Sequence, residues 1–134
     1  MTRPVFADRF YYLALVNPRD TAHARAADFA RRSSFPVVTI AWVIQEMADG
    51  LAAPPTRLAF LRLLASLQAD SQTTIVDVDV GLWSRGLDLY RARPDKAWSL
   101  TDCTSFVVMQ DRGLTEALTG DRHFEQAGFT MLLT

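Results

Sequence analysis

The feature that most constrains the fold is an alternation of short apolar runs with segments of helical periodicity. The short runs predict five strands, at residues 4–8, 36–40, 73–78, 114–119 and 129–133, and the third of them is β-branched. Apolar residues at three- and four-residue spacing predict helices at residues 9–16, 20–32, 41–51, 56–69, 79–92, 101–111 and 121–126. Strands that alternate with helices indicate an α/β fold in which a parallel sheet carries helices on both faces.

Length and charge limit the classes of function. The chain has 134 residues, and we expect residues 1–134 to form a single domain with a substantial core. The net charge of -1 excludes a bulk electrostatic attraction to nucleic acid, so RNA binding would require a local basic patch. The cations are thirteen Arg and one Lys. Guanidinium groups suit phosphate recognition, but the codon usage of a GC-rich genome produces the same bias.

The sequence also indicates a cellular location. The single cysteine, Cys103, excludes an intrachain disulfide. The N-terminal residues lack the long apolar segment of a signal peptide, and no apolar run approaches the roughly 18 residues that span a bilayer. We therefore expect a cytoplasmic protein without a membrane partner.

Acidic residues follow two of the predicted strands. Open parallel sheets bind ligands beyond the carboxyl ends of their strands. Asp8 closes the first strand and Asp121 follows the fourth, so both occupy positions where such sheets carry out chemistry. A structural explanation is also open, because each could cap the following helix. Asp102 stands three residues after Ser99, which is close to a capping-box spacing.

Glu46 is harder to explain as a structural residue. At about 100° per residue, it lies roughly a third of a turn from the centre of the apolar stripe of its helix. That is the boundary between core and solvent, where a carboxylate can face a cleft. Asp49 lies on the opposite face and is expected to be a solvated surface charge. The stripe consists of Ile40, Val43, Ile44, Met47 and Leu51.

Three stretches of the chain resemble the PIN-domain family, in particular its VapC-type toxin nucleases. VFADRFYYLALVNPRDTAH is similar to the family's opening strand, Asp and helix, and TIAWVIQEM to the helix that carries the family's Glu. SLTDCTSFVVMQDRGLTEALTGDRHFEQAGF is similar to the C-terminal block almost throughout. The resemblance runs from residue 4 to 133, with the motifs in the family's order and spacing.

The resemblance implies a three-layer α/β/α sandwich with a five-stranded parallel sheet in the order 3-2-1-4-5. It also implies that Asp8, Glu46, Asp102 and Asp121 hold Mg²⁺ or Mn²⁺ for the hydrolysis of RNA by a metal-bound water. Carboxylates are the hard oxygen ligands that these ions prefer. Among the four, Asp8, Asp102 and Glu46 are expected as the primary ligands and Asp121 as a supporting one.

Residues near the quartet are candidates for substrate binding. Thr119 falls on the family's polar position before the last Asp, whereas Arg9 stands where the family often places Thr or Ser. Arg93 and Lys96 belong to the densest basic stretch and are expected to contact RNA phosphates. Trp98, in the following loop, is the best candidate for stacking on a base.

Other side chains are interpreted as structural. Cys103 is expected to be a small buried residue. His23 and His123 are expected at the surface or at helix ends, with His123 close enough to Asp121 to touch substrate. Trp42 and Trp83 are expected in the core.

Several alternatives stay open for function. A nuclease for structured DNA would share an acidic quartet, although the chain is short for the helical arch that such enzymes use. A PIN-like module for RNA processing or binding is a second alternative, and the complete quartet argues against an inactive one. A phospho-receiver domain is excluded, because Lys96 precedes the fourth strand instead of following the fifth.

The predicted helix at 56–69 suggests a protein partner. It carries two apolar stripes, which is more than a helix packed on one side needs. We expect the stripe of Leu58, Leu61, Leu64, Ala65 and Gln68 to pack on the sheet. Phe60, Leu63 and Leu67 would then contact a second copy of the chain or an antitoxin, unless both stripes are buried within the monomer. The resemblance itself implies a homodimer and an antitoxin.

Overall fold

The computed structural model describes residues 3–32 and 35–134. Its sheet has five strands in the order β3-β2-β1-β4-β5, and every adjacent pair is parallel. The predicted topology is therefore confirmed. The strands are β1 (Val5–Ala7), β2 (Val37–Ile40), β3 (Thr73–Val76), β4 (Glu116–Leu118) and β5 (Thr130–Met131).

The helices also follow the prediction, with small differences at their ends. Asp20 does not belong to α2, because its side chain accepts a hydrogen bond from the N–H of Ala22 and forms a turn instead. Pro54 opens α4, where its missing N–H has no cost. The helices are α1 (Arg9–Val16), α2 (His23–Arg32), α3 (Ala41–Gly50), α4 (Pro54–Ala69), α5 (Val80–Ala92), α6 (Leu100–Asp111) and α7 (Arg122–Gln126).

The central strand, β1, divides the core into two layers. Successive side chains of a strand point to opposite faces. Phe6 packs into one cluster with residues of α5, α6 and α7, such as Phe106 and Phe124. Val5 and Ala7 pack into the other cluster with residues of α1, α2, α3 and α4. The chain is thus a three-layer sandwich, and both faces of the sheet are buried.

The most buried helix is α6. All residues from 102 to 109 are buried, because α6 lies between the sheet and α5. Gly86 of α5 allows this close packing, since a Cβ at that position would collide with the side chain of Thr104. The tight packing fixes the first turn of α6, where Asp102 lies.

The prediction of which apolar stripe of α4 packs on the core is wrong, because the other stripe does so. Leu67 is buried, and Phe60 and Leu63 pack against the core cluster beneath the helix. Leu58 and Leu61 are instead 54% and 56% exposed. Periodicity alone could not choose between the faces, because both stripes are apolar. None of the helices in the described ranges has the length and hydropathy needed to cross a membrane.

Candidate metal centre

Asp8 is a buried carboxylate at the carboxyl end of β1. It is only 5% exposed, and its Oδ2 accepts a hydrogen bond of 3.0 Å from the hydroxyl of Thr119. It stands at the N-cap position of α1 but makes no side-chain capping bond there. Capping therefore does not explain Asp8, and its burial requires another reason.

The raised pKa of Asp8 shows that folding destabilises the charged form of this carboxyl group. Burial is the main cause that raises the pKa from 3.8 to about 6, and the hydrogen bond from Thr119 opposes that rise. The negative charges of Asp102 and Asp121 raise it further. These three carboxylates, which are distant in sequence, therefore interact in the folded chain.

Thr119 links the first and last parts of the site. It is fully buried, and its hydroxyl donates to Asp8 while accepting a hydrogen bond of 3.0 Å from the N–H of Asp121. The next residue, Gly120, lies against the ring of Phe10, and a Cβ there would be 2.5 Å from the nearest ring carbon. The loop from 119 to 121 is thus held against the start of α1.

Asp102 and Asp121 both have the structural roles that their spacing predicted. Asp102 completes a capping box with Ser99 at the start of α6. Asp121 caps α7 by accepting a hydrogen bond of 2.9 Å from the N–H of His123. Within the described residues, these caps engage Oδ2 of Asp102 and Oδ1 of Asp121 and leave the other oxygen of each carboxylate without a hydrogen bond. Capping and ligand binding are therefore compatible at both positions.

His123 is a member of the site that sequence reasoning had placed among surface or capping residues. Its Nδ1 lies 2.9 Å from Oδ2 of Asp102 and 3.4 Å from Oδ1 of Asp121. The three residues offer ligand atoms that all lie within 4.8 Å of one another. The signal in the sequence was the two-residue step from Asp121 to His123, which brings both side chains to the first turn of one short helix.

Glu46 lies at the edge of this group, as its position on the helix predicted. Its side chain is 29% exposed, and its Oε1 is 3.6 Å from Nε of Arg9. Burial is the main cause that raises its pKa, while the charge of Arg9 and a hydrogen bond from Thr101 oppose the rise. The charge of Asp102 also raises the pKa, so all four predicted acidic residues interact within one cluster.

The stacking of Trp98 on a base stays a prediction, and the burial of its ring weighs against it. Its side chain is only 6% exposed, so too little of the ring is open to a base. The indole N–H donates to Gln126 at 3.0 Å, and the ring packs edge-on against Phe106. Arg93, another predicted RNA contact, lies over the Trp98 ring and makes two hydrogen bonds to Asp95.

The remaining structural predictions have mixed outcomes. Cys103 is fully buried, and burial raises the pKa of its thiol to about 11, which confirms a structural role. His23 contacts the carbonyl oxygen of Ala14 through Nδ1 at 2.7 Å. Trp42 and Trp83 pack against each other, but Trp83 is 42% exposed, so its assignment to the core is wrong.

Comparison with known proteins identifies the family. The family model of the PIN domain matches residues 6–130. The chain belongs to the PIN-domain family. No curated protein sequence matches the chain. Among solved structures, this PIN domain is similar to Mycobacterium tuberculosis VapC20, a toxin that cleaves the sarcin-ricin loop, with a TM-score of 0.85 and 24% identity over 94% of this chain and 96% of that one. It is also similar to FitAcB from Neisseria gonorrhoeae, with a TM-score of 0.67 and 14% identity over 95% of both chains. At these identities the likeness shows the fold.

The donor set of this PIN domain fits a divalent cation. Asp102, Asp121 and His123 supply oxygen and nitrogen ligands at mutual distances suited to one ion. The buried carboxylate of Asp8 adds negative charge that the protein itself does not neutralise. A cation would relieve the repulsion among these groups, which is the cause of part of the raised pKa of Asp8.

Proposed function

We propose that this PIN domain is an endoribonuclease that depends on Mg²⁺ or Mn²⁺ and hydrolyses RNA phosphodiester bonds. The observation that carries the proposal is the buried Asp8, which Thr119 holds beside Asp102 and Asp121 at the carboxyl ends of β1 and β4. Burial of a carboxylate among like charges destabilises a protein, so its presence here calls for a function.

We propose different roles for the side chains of the site. Asp8, Asp102 and Glu46 would hold the cation with Asp121 as a supporting ligand, and His123 would orient Asp102 through the contact of its Nδ1 with Oδ2. A bound divalent cation supplies a nucleophilic water at neutral pH and stabilises negative charge on the phosphate. Burial raises the pKa of Asp8 to about 6 in the metal-free protein, and a cation bound beside it would favour the charged carboxylate. Thr119 fixes the orientation of the Asp8 carboxylate through its hydroxyl.

Arg9 extends the site on its open side. Its side chain is 54% exposed and reaches Glu46 through Nε, which leaves the other guanidinium N–H groups without an ion pair among the described residues. We propose that these groups contact the phosphate backbone of the substrate. Arg9 would thus add a positive charge where the family often has a hydroxyl.

The similarity to VapC20 favours a toxin of a toxin-antitoxin pair over a PIN module for RNA processing. We propose an antitoxin as the protein partner, in contact with the face of α4 that exposes Leu58 and Leu61. A cavity of about 310 Å³ adjoins this face, between α4 and the end of α3. A homodimer and a cytoplasmic location stay predictions, and light scattering of the purified chain tests the first.

A cleavage assay tests the proposed reaction. The purified protein is incubated with labelled single-stranded RNA and with DNA of the same sequence, in Mg²⁺, in Mn²⁺ and in EDTA. We expect cleavage of RNA in either metal, none in EDTA, and none by Asp8→Asn or Asp102→Asn. Asp77→Asn, an exposed carboxylate whose charge is not among the causes that shift the pKa of Asp8 or Glu46, is the matched control.

Three results would contradict parts of the proposal. Cleavage that survives thorough chelation excludes metal dependence, and preferential cleavage of DNA favours the DNA-nuclease alternative. If Asp102 were only a helix cap, its substitution would cost up to about 1 kcal/mol of stability and leave the activity unchanged. A thermal melt of each variant, with and without Mg²⁺, separates these outcomes.

A further inference from the structure

A second cavity lies next to the acidic cluster, at the turn between α5 and α6. Its volume is about 470 Å³, which is within the usual range for small-ligand sites. We call it the α5–α6 cavity and define it by Tyr90, Arg91, Arg93, Lys96, Trp98 and Cys103. Three of these side chains are cations and none is acidic, so its charge is opposite to that of the metal centre.

The position of the cavity connects it to the metal centre. Cys103, in its wall, directly follows Asp102 in the first turn of α6. Trp98, also in its wall, hydrogen-bonds to Gln126 of α7, the helix that carries His123. The cavity and the metal centre therefore share the first turn of α6 and are connected through α7.

Tyr90 is the aromatic side chain of this cavity that is open to a ligand. It is 51% exposed on the last turn of α5, whereas Trp98 is only 6% exposed. An exposed aromatic ring is a surface on which any nucleobase can stack. The stacking role expected of Trp98 thus passes to Tyr90, with Trp98 as the fixed wall behind it.

Among the three cations of the α5–α6 cavity, Lys96 has the charge that neighbouring carboxylates neutralise least. Within the described residues it has no ion pair, whereas Arg93 is bound to Asp95 through two hydrogen bonds and Arg91 lies 3.7 Å from Asp88. Its side chain is half-buried and lines the cavity, and its charge also acts on Asp95, which Arg93 already binds. A phosphate at the cavity mouth would find this charge available.

We propose that the α5–α6 cavity binds one nucleotide of single-stranded RNA beside the cleaved bond. Its base stacks on Tyr90 and its phosphate contacts Lys96. The identity of the polymer rests on the proposed function, whereas the cavity, its charge and its exposed ring do not. The site therefore adds affinity for one nucleotide that the metal centre does not contact.

Binding of a labelled 12-nucleotide single-stranded RNA tests the proposal by fluorescence anisotropy. An Asp8→Asn background keeps the RNA intact. Tyr90→Ala should weaken binding about 5- to 100-fold, and Tyr90→Phe, which keeps the ring, about twofold or less. Lys96→Gln should reduce the slope of log K against log salt by about 0.7, the value for one phosphate contact on a single strand. Arg62→Gln, an exposed cation on α4, is the matched control and should leave the slope unchanged.

A crosslinking experiment locates the contact. RNA that carries 4-thiouridine at single positions is irradiated on the protein, and the modified peptide is identified by mass spectrometry. We expect the crosslink at Tyr90, and Tyr90→Ala should abolish it. Because Tyr90 is half exposed, its substitution leaves the core intact, and a thermal melt verifies this.

The outcomes separate this proposal from the proposed function. If the parent cleaves RNA but Tyr90→Ala and Lys96→Gln bind RNA as tightly as the parent, the function stands and the cavity proposal is wrong. If RNA binds with the expected dependence on Tyr90 but is never cut, the cavity proposal stands and the nuclease assignment is wrong. If Lys96→Gln weakens binding but Tyr90→Ala does not, the contact is electrostatic only, and the nucleotide site is refuted.

Discussion

Replacement of Asp8 by Asn should stabilise the metal-free protein at neutral pH while abolishing cleavage. The pKa of Asp8 rises from 3.8 to about 6 on folding. At 1.36 kcal/mol for each pH unit, the charged form costs ~3 kcal/mol of folding free energy above pH 6. Asn keeps an oxygen that can accept the hydrogen bond from Thr119, but its amide N–H groups would be buried, at a cost of about 1–3 kcal/mol.

The pH dependence is the cleaner measure, because the amide cost does not change with pH. Since the pKa of Asp8 is higher in the folded state, the folded protein holds a proton that the unfolded chain releases between about pH 4 and pH 6. The parent should therefore lose stability across this window as pH rises and show no further loss from Asp8 above it. Asp8→Asn should lack this loss, so its stability relative to the parent should improve by ~2.5 kcal/mol from pH 4 to pH 7.5.

Urea denaturation in EDTA at several pH values measures this difference. Asp70→Asn is a control of opposite sign, because hydrogen bonds from the N–H of Gln72 and the hydroxyl of Thr73 lower the pKa of Asp70. The parent gains stability as Asp70 ionises, and Asp70→Asn lacks this gain. Its stability relative to the parent should therefore fall as pH rises. If the difference in the free energy of unfolding between Asp8→Asn and the parent is the same at pH 4 and pH 7.5, folding does not raise the pKa of Asp8. The argument for the function of Asp8 then fails.

Three further predictions concern the neighbouring residues. Thr119→Val should abolish most of the cleavage activity and lower the free energy of unfolding by about 1–3 kcal/mol, because it removes both buried hydrogen bonds. Thr119→Ser keeps the hydroxyl and should retain activity. RNase assays and thermal melts of both variants test this. Gly120→Ala should cost about 1–3 kcal/mol in a melt and reduce cleavage, because its Cβ would overlap the ring of Phe10; unchanged values would refute that close packing. Leu61→Asp should leave the melting temperature nearly unchanged while weakening association with a partner, as judged by light scattering, whereas Leu67→Asp should unfold the chain.

The sheet was predictable because its signals are local and repeated. Each strand lies in a short, mainly apolar run between helical segments, and the order 3-2-1-4-5 followed from the family resemblance. The packing face of α4 was not predictable, because both of its stripes are apolar and the sequence contains no third signal that distinguishes them. The burial of Trp98 was not predictable for a related reason, since it depends on Phe106 and Gln126, which lie on separate helices.

The sequence predicted which acidic residues lie in the site better than it predicted their contacts. The positions of Asp8 and Asp121 after two strands were sufficient to indicate a shared edge of the sheet. The contact of His123 with Asp102 was not, because it joins the starts of two helices that the sequence separates by 21 residues. The pairing of Arg9 with Glu46 was missed because no local pattern relates α1 to α3.

The hydrogen bond between Asp8 and Thr119 joins residues that are 111 positions apart in the chain. During synthesis β1 emerges before β4, yet it lies at the centre of the sheet and pairs with β4. At ~5–20 residues per second, roughly 5–20 seconds separate the appearance of these two side chains from the ribosome. Throughout that interval Asp102, Asp121 and His123 are also absent or unplaced. A growing chain therefore has no assembled metal centre until residues 119–123 have left the ribosome, and any activity of that centre can begin only after this point.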